Sequence, residues 1–216
     1  RYYMHTGYVP NPSIDHPSYG SVISHQLERP DVAIPKFISV GGASMGAGFL
    51  GAKYSPFVVN SDGRIRNLDM KIDQRFYQRA YALDAIESGF INQKRGSLAK
   101  EHQAILKETF NVLTSTQMDA LKVAGEPDAV KERYGENNFG KGCLMARRLA
   151  EAGVPFIEVN LGGWDNHQNI FPTLRDNKLP MLDQGMSALL EDLEERGMID
   201  DTVVIWMGEF SRTPRI

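Results

Sequence analysis

Residues 156–167 read Phe-Ile-Glu-Val-Asn-Leu-Gly-Gly-Trp-Asp-Asn-His, and this stretch decides the fold. Phe156, Ile157 and Val159 form a short apolar run of strand type. Gly162 and Gly163 then let the backbone turn sharply. Asp165 and His167 follow, a carboxylate and an imidazole on one loop. In open α/β sheets, ligands sit just beyond the carboxyl ends of the strands. Taken alone, Asp-x-His is compatible with a solvated turn as well as with a ligand pair.

Upstream, residues 139–152 are spaced as an amphipathic helix closed by Gly153, with Cys143 on its apolar side. Downstream, Leu182, Met186, Leu189, Leu190 and Leu193 form a helical stripe between Pro180 and Gly197. Thr202 to Met207, Thr-Val-Val-Ile-Trp-Met, is a near-continuous apolar run, as a strand buried on both faces requires. The order is helix, strand, loop, helix, strand, which predicts a right-handed crossover joining parallel strands at 156–160 and 202–207. Parallel strands share an end, so Asp165, His167 and Glu209 are expected to converge there as a metal site of oxygen and nitrogen donors. Arg212, just beyond, is the candidate substrate-binding oxyanion contact.

Residues 1–35 are loop-like and punctuated by Pro10, Pro12, Pro17, Pro30 and Pro35, with a helix expected over 18–27. His5, His16 and His25 fit no metal-ligand spacing and are assigned separate structural roles. Residues 36–40 and 57–60 read as strands, with a turn at 61–63. Between these strands lie five glycines from Gly41 to Gly51. This run lacks the Gly-Lys-Ser/Thr ending of a Walker loop, so it is read as a surface or substrate-side loop. Residues 70–123 have helical spacing and read as a helical insertion, with His102 on an apolar side and Ser115 or Thr116 capping a shorter helix. A further short helix is expected from Glu126-Pro127 to Tyr134-Gly135.

The formal net charge of −3 argues against a broad nucleic-acid-binding surface. No apolar run reaches the roughly 20 residues that span a bilayer. Cys143 is the only cysteine, which rules out an internal disulfide. No signal peptide is visible between Arg1 and Ile216, and the chain is expected to be part of a longer protein.

Several segments together resemble an uncharacterised bacterial family, domain of unknown function 1501, of the alkaline phosphatase and sulfatase superfamily. They are MHTGY at 4–8, HPSYGS at 16–21, GAGFLGAKYSPFVV at 46–59, ERYG at 132–135, FGKGCLMARRLAEAGV at 139–154, GGWDNH at 162–167 and MGEFSRTP at 207–214. The resemblance runs over nearly the whole chain. It implies a single α/β domain with a mainly parallel sheet flanked by helices, of which residues 1–216 are part. It also implies a metal-dependent hydrolase of phosphate or sulfate esters, using a divalent metal (zinc, calcium or manganese) and acting on a small-molecule or polysaccharide ester.

By this resemblance Asp165 and His167 are ligands of one metal, and Glu209 lies where the superfamily has an aspartate. Phe210 lies where it has the next ligand, a histidine, and phenylalanine cannot ligate. The nucleophile is expected upstream of Arg1, so this stretch alone is expected to be inactive. Relatives often carry a twin-arginine export signal, which implies a periplasmic or extracellular location. The alternative is a non-catalytic member of the same fold, acting as an extracytoplasmic binding or cell-surface component.

Overall fold

The computed structural model describes residues 1–27, 29–63, 73–92, 103, 110–112 and 114–208. Three short strands form its sheet: β1 (Phe37–Val40), β2 (Phe57–Val59) and β3 (Phe156–Val159). The order is β2-β1-β3, and both pairings are parallel. Ser39 lies opposite Val58 on one side and Glu158 on the other. The strands are those expected from the apolar runs at 36–40, 57–60 and 156–160. All of β1 is buried, as a central strand covered on both faces must be.

On one face lie α4 (Asp128–Tyr134), α5 (Asn138–Glu151) and α7 (Leu179–Glu195). Ile38, Val40 and Val59 meet Tyr134, Phe139, Leu144, Leu149 and Leu182 there in a single core cluster. Burying each such side chain contributes roughly 1.5–3 kcal/mol. Asn137 caps α5 by accepting from the Gly140 N–H at 2.9 Å. Gly142 allows α5 to lie close to the sheet: a Cβ there would stand 2.9 Å from Val159 Cγ1.

The other face is covered by α2 (Tyr19–Gln26), capped by Ser18. This helix buries Gly20, Ser21 and Ser24, while Val22 and Leu27 are exposed. Its small residues face inward because the rings of Phe37 and Phe156, edge to face with centroids 5.0 Å apart, already fill the space beneath. The short helix α1 (Tyr2–Thr6) completes this layer.

Within the expected helical insertion, α3 (Gln74–Asn92) is described, and residues 74–89 of it give none to the core cluster. Phe76 stacks on Phe110 at 5.9 Å instead. A six-residue 3₁₀ stretch, Thr116–Leu121, follows the expected Ser115 cap. His102 lies outside the described residues. No helix among the described residues is long and apolar enough to cross a membrane.

Two expectations need correction. The connection after His167 is not a loop but is helical from Ile170: α6 (Ile170–Thr173), then a π turn over Leu174–Lys178, then α7. Pro180 lacks an N–H and cannot close the regular i→i−4 bond, which accounts for the wider turn just before it. The second correction concerns Thr202–Met207. Among the described residues this segment joins no strand, and Val203 and Trp206 are 86% and 65% exposed. The apolar, β-branched composition was right for a strand. A strand also needs a ladder partner and covered faces, and the described residues supply neither to this segment.

Candidate functional site

The carboxyl edge of the sheet carries the chain's candidate chemistry. From β3 the backbone passes Asn160 and Leu161 to Gly163, whose φ of 77° turns it in a way that suits glycine. Trp164 anchors the loop. Its ring packs against the core, and its Nε1–H donates to the Leu161 carbonyl at 2.7 Å. Asn166 donates to the Gly163 carbonyl at 3.0 Å, and Lys178 Nζ donates to the Gly162 carbonyl at 2.6 Å. The loop is thus tied at its base while Asp165 and His167 face solvent.

These two side chains come together. His167 Nδ1 lies 3.6 Å from Asp165 Oδ1, with the side chains 83% and 65% exposed. Glu209 and Arg212, the other expected members, lie outside the described residues. Among the described residues there is no group of three or more His, Cys, Asp or Glu side chains able to hold a metal. The pair supplies two donors, one oxygen and one nitrogen. That chemistry fits zinc or manganese, whereas calcium prefers an all-oxygen shell.

A second constellation at the same edge was missed in the sequence. Ser44, in the glycine-rich loop after β1, donates its hydroxyl to Glu158 Oε2 at 2.5 Å. His5, on α1, places Nδ1 3.8 Å from the same oxygen. These residues are far apart in the chain, and only the parallel register of β1 with β3 unites two of them. A local signal was nonetheless present. Gly42-Ala43-Ser44-Met45-Gly46 is a G-x-S-x-G pattern directly after a strand.

The separate roles expected of the histidines hold for the other two. His16 stacks on Tyr8 at 3.9 Å, and His25 meets the Tyr54 ring edge to face at 4.8 Å. Cys143 is buried as expected, and burial pushes its thiol up to about 12. A cavity of about 340 Å³ lies elsewhere, between Tyr2, Pro10, Pro12, Ile14 and Asp15, and includes neither Asp165 nor His167.

A three-stranded parallel sheet between helical layers, with polar side chains gathered at its carboxyl edge, defines an α/β protein. The family described as "Protein of unknown function (DUF1501)" matches residues 1–216, and the chain belongs to that family. No curated protein and no solved structure matches it.

Proposed function

We propose that this chain is part of a metal-dependent hydrolase of phosphate or sulfate esters, built on an alkaline phosphatase/sulfatase-like fold and working outside the cytoplasm. The observation that carries the reading is the Asp165–His167 pair, 3.6 Å apart on a loop leaving the carboxyl end of a parallel strand. Asp165 and His167 would hold the metal, with Glu209 as a third ligand. When bound, zinc or manganese supplies a Lewis acid for an ester oxygen. Asp165 contributes negative charge to that site, and His167 contributes a neutral nitrogen donor. Arg212 would bind the anionic group of a small-molecule or polysaccharide ester.

Phe210 favours a second reading, because it stands where the resembled superfamily has a ligating histidine. On that reading the protein is a non-catalytic, extracytoplasmic binding component. Titration calorimetry with zinc and manganese tests the first step. Binding weakened at least about tenfold by Asp165→Ala or His167→Ala supports the metal site; unchanged binding refutes it. Turnover of p-nitrophenyl phosphate or sulfate by the full-length protein then separates the enzyme from the binding component.

A further inference from the structure

We propose that Ser44 is a nucleophile for acyl transfer from carboxylic esters, with Glu158 as its proton acceptor. This centre uses neither Asp165 nor His167 and requires no metal.

Hydrogen bonds other than that of Ser44 already hold the glycine-rich loop. Ser39 Oγ donates to the Gly42 carbonyl at 2.7 Å, Gly41 N–H donates to the Val59 carbonyl at 2.9 Å, and Ser18 N–H donates to the Gly46 carbonyl at 3.1 Å. The Ser44–Glu158 contact therefore adds little to the position of the loop. What it does is aim a half-buried hydroxyl at a carboxylate.

Glu158 is on a strand, and its register opposite Ser39 fixes where its side chain leaves the sheet. Its side chain is 18% exposed, so it is partly screened from bulk water. His5 faces the same oxygen from α1, and α1 is tied to the loop by Arg1 Nη2 donating to the Ala43 carbonyl. A nucleophile within hydrogen-bond reach of a base, and the base contacted by a third polar group, is the general pattern of an activated serine.

In G-x-S-x-G enzymes the N–H after the nucleophile stabilises the tetrahedral intermediate. Among the described residues, the Met45 N–H has no protein acceptor. Ser44 itself has no positive φ, so the loop is not the strained elbow of that enzyme class. Its activation rests on Glu158 instead.

Ser44 Oγ bonds to the ester carbonyl carbon while its proton passes to Glu158. The carbon–alkoxy bond then breaks, and the leaving alkoxide takes that proton from the Glu158 carboxyl. Water next attacks the acyl-serine, giving its proton to Glu158, and the acid is released as Ser44 recovers its hydrogen.

A fluorophosphonate probe tests this on the metal-chelated protein. Attack forms an Oγ–phosphorus bond and releases fluoride. The tryptic peptide 37–53 contains only Ser39 and Ser44 as hydroxyl nucleophiles, so mass spectrometry locates the adduct. The expected result is an adduct on Ser44, absent in Ser44→Ala and formed about 100-fold more slowly in Glu158→Gln, the usual scale of a lost general base. Thermal melts of both variants establish that they are folded. Native protein left unlabelled at Ser44, equal labelling rates in Glu158→Gln and the parent, or equal rates in native and urea-unfolded protein would each overturn the proposal. Because chelator is present throughout, failure of the metal reading produces none of these outcomes.

Discussion

Arg147 Nε lies 3.0 Å from Asp192 Oδ2, and the two side chains are only 2% and 6% exposed. This contact joins α5 to α7. Glu126 and Glu151 also reach the Arg147 guanidinium, at 3.0 and 2.6 Å. Asp192 in turn accepts from Tyr134 Oη at 2.9 Å and from Arg196 Nε at 2.7 Å. Arg147 Nε and Nη2 touch their carboxylates without hydrogen-bond alignment, so charge rather than directionality holds them. Arg147→Ala should destabilise the protein by about 3 kcal/mol, the low end for a broken buried pair, because Glu126 keeps Arg148 and Asp192 keeps Arg196 while both lose the guanidinium they share. Urea unfolding measures it. A loss below about 1 kcal/mol would mean that water reaches this network.

The same network predicts acid sensitivity. Burial is the largest single influence on both Glu126 and Asp192 and disfavours their charged forms. It is outweighed by Arg148 and Arg147 around Glu126, and by Arg196, Tyr134 and Arg147 around Asp192, so both carboxyls sit below their ordinary values. A depressed folded-state pKa contributes stability that is present above the unfolded value, about 4, and is lost as pH falls through the folded one. The melting temperature should therefore drop as pH is lowered below about 4. Asp192→Asn should flatten that slope; an unaltered slope would assign the acid sensitivity to other groups.

Gly142→Ala sets two effects against each other. Alanine gains about 1 kcal/mol of helix propensity over glycine. The added methyl would lie 2.9 Å from Val159 Cγ1 and 3.4 Å from Val40 Cγ1. Valine is stiff at χ1, and overpacking typically costs about 1–3 kcal/mol. The expected result is a net loss of about 1 kcal/mol in denaturant unfolding. Net stabilisation would show that α5 can move off the sheet freely.

Asp165→Ala should leave the stability of the metal-free protein unchanged within about 0.5 kcal/mol, as for other exposed surface positions. Its side chain is 65% exposed and meets His167 at 3.6 Å. Calorimetric melts in chelator measure it, and a large loss would give this carboxylate a structural role.

Much of the fold was legible because it is local. The apolar runs of β1, β2 and β3, the helix beginning near Ser18, the cap at Ser115 and the helix opening at Pro127 all depend on residues within a few positions of one another. Asp165 and His167 were legible for the same reason: they are two residues apart after a glycine pair. The Ser44–Glu158–His5 cluster was not. Its members come from a loop, a strand and a helix, and no periodicity links positions 5, 44 and 158.

Sequence by itself marked the three strand segments, the main helices and the chemical groups that follow each strand, but not the helical turns from Ile170 to Lys178. Tertiary structure alone decided the neighbours. It set β1 between β2 and β3, so that Glu158 shares a rung with Ser39 and its carboxylate meets the loop that β1 feeds. It also left Thr202–Met207, as apolar as any strand here, unpaired among the described residues. The reason is physical. Hydrophobic patterning states that a segment prefers burial, but burial and ladder hydrogen bonds require a partner surface, and that surface is a property of the assembled chain.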